Sequence, residues 1–374
     1  MTGTLAHGQP SGGDLPIRFG QPAALDGPAA ELGIGMRDGI RAAFAEADRS
    51  GGISGRTLEL ISRDDGYDPN RSIGVTTRLL DDDKVFGIIG AVGTPTSAAI
   101  EPIAARQDVP FIGAFTGAEF LRDAGNDNVV NVRASYFQET EEIVERLTSD
   151  LGLTRIAVLY QDDAYGRAGR TGVQRALASR DMQLAGEGTY ERNTVAIKMA
   201  LLSIRGAKPQ AVVMIGAYKP CAAFIKLAGR IGFDPMFVSV SFVGSDALAN
   251  EVGSAGAGVV VTQVVPFPGD TSVPLVARYQ AALSAIDPAA KPSFVSLEGY
   301  VAGRTTVLAL RRVKGELTRK AFLDVFRHGA SFDLGGMTLH FGPGRNSGSD
   351  SVFLTMLGAD GQFRPVARLS GAGG

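Results

Sequence analysis

From Ile17 onward the apolar residues recur with two alternating periods. Short runs rich in β-branched residues, "IRFGQPA", "TLELISRDD" and "VFGIIGAVG", read as strands. Between them "AELGIGMRDGIRAAFAEAD" and "RSIGVTTRLLDD" place apolar positions three and four apart, the spacing of a helix with one buried face. Strand and helix in repetition predict a parallel sheet covered on both sides, because parallel neighbours need a crossover and the helix supplies it.

A second series starts after "NVVNVRASY". Helical stretches "QETEEIVERLTSDLG", "GRTGVQRALASR", "VAIKMALLSIRG" and "PCAAFIKLAGRIG" alternate with strands "RIAVLYQDD", Met182 to Thr189, "AVVMIG" and "MFVSVS". The expected fold class is α/β, with two doubly wound parallel-sheet lobes in tandem and a cleft between them. Past "GVVVTQVVPFPGD" the helices "VPLVARYQAALSAI", "FVSLEGYVAGRTTVLALRRV" and "TRKAFLDVFRHG" follow one another without strands. They are expected to return and pad the first lobe, and the chain to end in hairpin-like strands around "MTLHF" and "SVFLTML".

Composition narrows the function. A chain of 374 residues fits two ordinary domains and buries roughly 75% of its unfolded surface. Its 37 Lys+Arg against 39 Asp+Glu leave a net charge of −2, so neither nucleic acid nor an anionic membrane is an expected partner. A single cysteine, Cys221, excludes an internal disulfide and a four-cysteine zinc site. No apolar run is long enough to span a bilayer, so direct membrane insertion is not expected. The start, "MTGTLAHGQPSGGDLP", lacks the basic residues and apolar core of a secretory leader and reads as a disordered lead.

Ligands of open α/β sheets sit beyond the carboxyl ends of the strands. In "GTPTSAAIEP" Thr94 is placed to cap a helix with Pro95 at its first position, and Thr96 and Ser97 add hydroxyls beside free backbone N–H groups. The loop has no P-loop lysine. It suits a carboxylate or other polar head, and equally an ordinary capped helix. "GAFTGAEF" ends another strand with small residues and one hydroxyl, Thr116. Tyr165 in "YQDDAYGRAG" and Tyr218 in "GAYKPCA" offer aromatic walls, or simply helix starts packed on their own lobe.

Catalytic readings find little support. Of three histidines His7 lies in the lead, and neither His328 nor His340 sits in a recognisable pair; H-E-x-x-H and G-x-S-x-G are absent. "GIGMRDG" misses the dinucleotide fingerprint and lies inside a helical stretch, so Gly33, Gly35 and Gly39 read as close-packing positions. Cys221 has no partner histidine and reads as a small buried residue. No cofactor, no metal and no enzymatic activity are expected.

Taken in order, these motifs resemble the type I periplasmic binding proteins of the leucine/isoleucine/valine-binding family, the solute receptors of ABC importers. The resemblance covers roughly Ile17 to Pro365 and is carried by "GPAAELGIGMRDGIRAAFAEADRSGGISGRTLELISRDDGYDPNRS", "FGIIGAVGTPTSAAIEPIAARQDVPFIGAFTGAEF", "RIAVLYQDDAYGRAG" and "LEGYVAGRTTVLAL". It implies two lobes joined by a three-strand hinge, with crossings near Val132 to Ser135, Val264 to Pro268 and Phe341 to Arg345. Residues 1–15 are then a disordered lead, 16–132 with 266–342 the first lobe, and 133–265 with 343–374 the second.

The same resemblance implies a ligand site. Leu32 falls on its wall, Gly93 and Thr94 at the carboxylate-binding loop, and Phe115, Thr116 and Gly117 at the second loop. Tyr165 and Tyr218 fall on the second lobe's side, with Tyr300 near the cleft. Amino-acid binders of the family pair the ligand's ammonium with an acid at the position that is Ser241 here, followed by Phe242. Without it the ligand is expected to lack an ammonium, unless Glu298, Asp162 or Asp163 supplies a substitute acid. Family cysteines that pair at the positions of Tyr67 and Val92 are both replaced, and at Gly93 a serine hydroxyl is missing, which Thr94 or Thr96 is expected to provide.

The implied function is capture of a small organic solute, an amino acid or an aromatic or aliphatic carboxylate, for an ABC permease in the periplasm, the leader having been removed. The alternative is a cytoplasmic ligand-sensing regulator of the amide-sensor type on the same fold.

Overall fold

The computed structural model describes residues 15–370, so the expected lead lies outside the described residues apart from Leu15. The first lobe opens with β1 (Ile17–Ala23), α1 (Ala30–Arg49), β2 (Leu58–Asp64), α2 (Pro69–Asp81), β3 (Gly87–Ile89), α3 (Thr94–Ala105), β4 (Phe111–Ile112) and β5 (Val129–Val130). The five strands pair in the order β2-β1-β3-β4-β5, all parallel. Asp68 starts α2: its carboxylate accepts the N–H groups of Asn70 and Arg71, and Pro69 occupies a position where no N–H is needed.

The chain then crosses to the second lobe. Ser135 and Gln138 form a reciprocal capping box that starts α4 (Tyr136–Glu145). There follow β6 (Ile156–Gln161), α5 (Ala164–Ala178), β7 (Gly186–Tyr190), α6 (Lys198–Gly206), β8 (Ala211–Ile215), α7 (Tyr218–Arg230), β9 (Met236–Ser239), α8 (Ser245–Val252) and β10 (Val260–Gln263). All five residues of β8, Ala-Val-Val-Met-Ile, are buried, as expected of a strand with helices on both faces.

A second crossing returns the chain to the first lobe for α9 (Pro274–Ile286), α10 (Phe294–Arg312), α11 (Arg319–Arg327) and the hairpin β11 (Ala330–Asp333) with β12 (Thr338–Phe341). A third carries it back for β13 (Phe353–Leu357), antiparallel to β10, and β14 (Phe363–Val366), antiparallel to β13, which extend the second sheet to the order β14-β13-β10-β9-β8-β6-β7. The first and third crossings run side by side, Asn131 donating to the Asn346 carbonyl at 2.8 Å and Gly348 to the Asn131 carbonyl at 2.9 Å.

The late helices pad the first lobe, and glycines decide how closely. A Cβ on Gly39 would stand 1.8 Å from the carbonyl oxygen of Ser296 on α10, and one on Gly299 2.3 Å from that of Met36 on α1. Gly33 meets the Ala24 carbonyl oxygen in the same way, at 1.8 Å. Gly33 and Gly39 are close-packing positions read from "GIGMRDG", and Gly39 with Gly299 lets α1 and α10 lie backbone to backbone, which only residues without a side chain allow.

The expected hairpin-like strands around "MTLHF" and "SVFLTML" form as two separate antiparallel pairs. "MTLHF" pairs with Ala330–Asp333, and "SVFLTML" pairs with Phe363–Val366 and joins the second sheet. The third crossing lies between the two segments, and it sends each to a different lobe.

Candidate ligand-binding site

In each sheet the strand order reverses once, beside β1 and β3 in the first and beside β6 and β8 in the second, and loops from those carboxyl ends converge between the lobes. The lobes meet there. Gln161 donates to the Tyr67 hydroxyl at 3.1 Å, Asn193 to the Gly66 carbonyl at 3.1 Å, and Phe115 of the first lobe stacks on Phe242 of the second with ring centroids 5.2 Å apart.

The cap of α3 differs from the expected one. Gly93, not Thr94, is the capping residue, with φ of 102°, and Thr94 is the first helical residue. The reason is space: a Cβ on Gly93 would lie 2.2 Å from the Tyr67 ring, so the backbone takes the region that glycine tolerates. That also accounts for the missing serine hydroxyl, since a ring fills its place. Freed from capping, the Thr94 hydroxyl bonds to the Thr116 hydroxyl at 2.7 Å. Thr116 continues to the Tyr136 hydroxyl at 3.3 Å and accepts the Ala118 N–H at 3.2 Å. Burial pushes the Tyr136 phenol up to about 12, against the pull of Arg133.

This chain of hydroxyls lies at a helix N-terminus whose backbone N–H groups and dipole favour negative charge. Two buried hydroxyls nearby have no hydrogen-bond partner among the described residues, Ser97 in the first turn of α3 and Tyr165. Tyr165 opens α5, where Asp163 caps its N–H, and its ring packs on Tyr136 at 5.4 Å and on Phe242 at 4.4 Å. Thr96 does not join the group: its hydroxyl donates back to the carbonyls of Val92 and Gly93.

Beneath the rings lies a buried ionic cluster. Arg133, on the first crossing, sends Nη2 to Glu139 of α4 at 2.8 Å and to the Ser241 hydroxyl, and Nη1 to Glu298 of α10 at 3.2 Å. Glu139 is saturated by the Ser241 N–H at 2.7 Å, the Ser241 hydroxyl at 3.0 Å and the Thr262 hydroxyl at 2.6 Å. Burial pushes Glu298 up to about 7, with Arg133 opposing and Glu139 adding to the rise. Burial alone disfavours the guanidinium, but Glu298 and Glu139 outweigh it and hold Arg133 firmly charged.

Other expected residues stand apart. Leu32 and Tyr218 pack against Gly244 across the lobe junction, and Leu32 lines a cavity of about 530 Å³ with Glu31, Asp38, Gly244, Asp246 and Val295. Tyr300 is not drawn into the cleft; its hydroxyl donates to Glu46 at 2.6 Å on the outer side of α1. Gly117 is fixed by Tyr136, whose N–H donates to its carbonyl at 2.7 Å. Sequence reasoning missed Arg133, Tyr136 and Glu139 as site residues and met Tyr67 only as a replaced cysteine. An arginine inside the apolar run "NVVNVRASY" was the available signal, because a charge in such a setting needs buried partners.

A family model described as periplasmic binding protein matches residues 16–362. The chain belongs to the periplasmic binding protein family. These are binding proteins rather than enzymes. A protein from Rhodopirellula baltica SH 1, described as a possible leucine/isoleucine/valine-binding protein, superposes with a TM-score of 0.91 at 40% identity, over 96% of this chain and 98% of that one. The Leu/Ile/Val-binding protein homolog 7 of Brucella suis is 26% identical over 326 residues, 83% of this chain and 80% of that protein. A Thermus thermophilus branched-chain amino acid ABC transporter protein with bound valine shares the fold, with a TM-score of 0.85 at 18% identity over 96% and 98% of the two chains. No helix among the described residues is long and apolar enough to cross a membrane.

Proposed function

We propose that this periplasmic binding protein is the solute receptor of an ABC importer, working in the periplasm and delivering a small organic acid or amino acid to a permease. The observation that carries this reading is the hydroxyl group of three, Thr94, Thr116 and Tyr136, buried at the N-terminus of α3 between two lobes joined by a three-strand hinge. Such a group can share hydrogen bonds with a carboxylate and adds no charge of its own. Tyr165, buried and without a partner, supplies a further donor from the second lobe. A ligand that touches both lobes favours their closure by its difference in affinity for the shut and open forms, and the shut form is what a permease can distinguish.

The test is a thermal-shift screen over amino acids and organic acids, followed by titration calorimetry. A true ligand at about 100 times its Kd raises stability by about 2.7 kcal/mol, with no product formed. A screen in which no small solute shifts the melting point refutes the reading, as does turnover of a bound solute.

A further inference from the structure

The two lobes touch through their own side chains on both edges of the cleft. On one edge Gln161 of β6 donates to the Tyr67 hydroxyl and Asn193 to the Gly66 carbonyl, each at 3.1 Å, and the Arg192 guanidinium lies 5.9 Å from the Tyr67 ring centre. On the other, Asp246 of α8 accepts the N–H of Phe294, the first residue of α10, at 3.2 Å. Gly244 stands beside Leu32 there, so close that a Cβ on it would lie 2.5 Å from the leucine Cδ2.

Between these edges the contact is apolar. The Phe242 ring of the second lobe has its centroid 5.2 Å from that of Phe115 and 6.1 Å from that of Tyr67, both of the first lobe, and 4.4 Å from that of Tyr165 in its own. None of the four residues is more than 1% exposed. Parting the lobes puts Phe115, Tyr67 and Phe242 into water together, and removing such rings from water is favourable whether or not a solute is bound.

Tyr67 is shaped for this contact. Its φ of 55° lies in a region that a ring-bearing residue seldom adopts and that persists only where the surroundings fix it. Asp65 accepts its N–H at 2.9 Å, and its ring lies over Gly93, where no Cβ fits. One group loses by the arrangement, the Tyr165 hydroxyl, which is buried without a partner among the described residues.

We propose that the solute-free protein rests shut, with Phe242 of the second lobe wedged against Phe115 and Tyr67 of the first, and that a solute binds by displacing this ring. The second half rests on the reading of the chain as a solute receptor; the first does not. A solute that pairs the Tyr165 hydroxyl recovers what the resting form gives up, which is how it competes with the wedge. The resting form differs from a solute-bound shut form in where Phe242 lies.

Pulsed electron spin resonance tests the resting form, with nitroxide labels on Asn70→Cys and Val195→Cys in a Cys221→Ala background. Both labelled positions are exposed and flank the contact of Gly66 with Asn193. The protein is unfolded in guanidinium and refolded to shed co-purified solute, and none is added. A short distance is expected to dominate. Phe242→Ala is expected to move the ratio of short to long at least about 10-fold toward long, and Tyr67→Phe, which loses only the hydroxyl, about 2- to 10-fold. Phe237→Ala removes a ring that packs on Phe224 inside the second lobe, and it leaves the ratio unchanged. A long distance dominating in the wild type overturns the inference and leaves the receptor reading standing, since an open resting form can also capture a solute. A shut wild type whose ratio neither Phe242→Ala nor Tyr67→Phe moves removes the wedge from the explanation. If Phe242→Ala fails to fold, Tyr67→Phe decides together with Asn193→Gly, which deletes the donor to Gly66 at a φ of 62° that glycine tolerates.

Calorimetry tests the displacement, with L-leucine, L-phenylalanine and benzoate as first probes and then any other solute that shifts the melting of the wild type. A solute that binds the wild type is expected to bind Phe242→Ala about 10-fold more tightly, because the resting form no longer competes. Weaker binding makes Phe242 part of the solute's own wall and overturns the displacement. If no solute in the screen binds, the receptor reading fails and the displacement with it, while the label distances still decide whether the protein rests shut.

Discussion

Thr116→Val removes one oxygen and keeps the shape of the side chain, so it isolates the hydroxyl at the centre of the site. In the ligand-free protein that oxygen serves Thr94 at 2.7 Å, Tyr136 at 3.3 Å and the Ala118 N–H at 3.2 Å. Each of these buried groups loses a partner, at about 1–3 kcal/mol for a group left wholly unsatisfied. Thr94 and Tyr136 can re-pair with each other in part, so a loss of about 2–4 kcal/mol in stability is expected rather than the full sum. A hydrogen bond to a bound carboxylate is worth about 1.5–3 kcal/mol, which makes the fall in affinity roughly 10- to 150-fold. Melting curves with and without ligand, and calorimetric Kd values, separate the two effects. Thr96→Val is the control, because its hydroxyl is turned to the Val92 and Gly93 carbonyls, and it leaves affinity unchanged within about twofold. If Thr116→Val lowers stability but keeps full affinity, or if Thr96→Val weakens binding as much, the ligand head is not held where this geometry puts it.

Three further outcomes follow from the packing and charge of the described residues. Glu298 has its pKa raised from 4.5 to about 7 by burial, so its contribution to stability is complete below about 4.5 and is lost as pH rises through about 7. Melting of the wild type should therefore weaken relative to Glu298→Gln across that window, by up to about 3 kcal/mol, and parallel pH profiles of the two proteins would contradict it. Gly39→Ala sets a methyl 1.8 Å from the Ser296 carbonyl and should cost about 1–3 kcal/mol, whereas Gly229→Ala, exposed in α7 with nothing within 4 Å, should stabilise by up to about 1 kcal/mol in urea unfolding. Cys221 is fully buried and its thiol is pushed well above its usual range, so a thiol reagent should label it only as the protein unfolds; rapid labelling of the native protein would show the second lobe to be open at α7.

Much of this architecture was legible because it rests on local periodicity. The alternation of 2- and 3.6-residue patterns identified two parallel sheets, and the glycines of "GIGMRDG" marked a helix face that another backbone approaches. The loops after β3 and β4 could be named because hydroxyls and small residues at strand ends are visible one residue at a time. The strands at "MTLHF" and "SVFLTML" were legible as hairpin-like, but the crossing between them that sends the two hairpins to different lobes was not. The cap of α3 was displaced by one residue, because Tyr67, far back in the chain, presses on Gly93.

The ionic cluster shows the same division sharply. Arg133, Glu139, Ser241, Thr262 and Glu298 come from both lobes and the hinge, and their separations in sequence reach 165 residues. The sequence alone determined the elements and the two-lobed plan, since each follows from the preferences of neighbouring residues. Only the tertiary structure decided which charges neutralise one another and which are left for a ligand, because Coulomb energy and desolvation depend on distance and burial in space rather than on spacing along the chain.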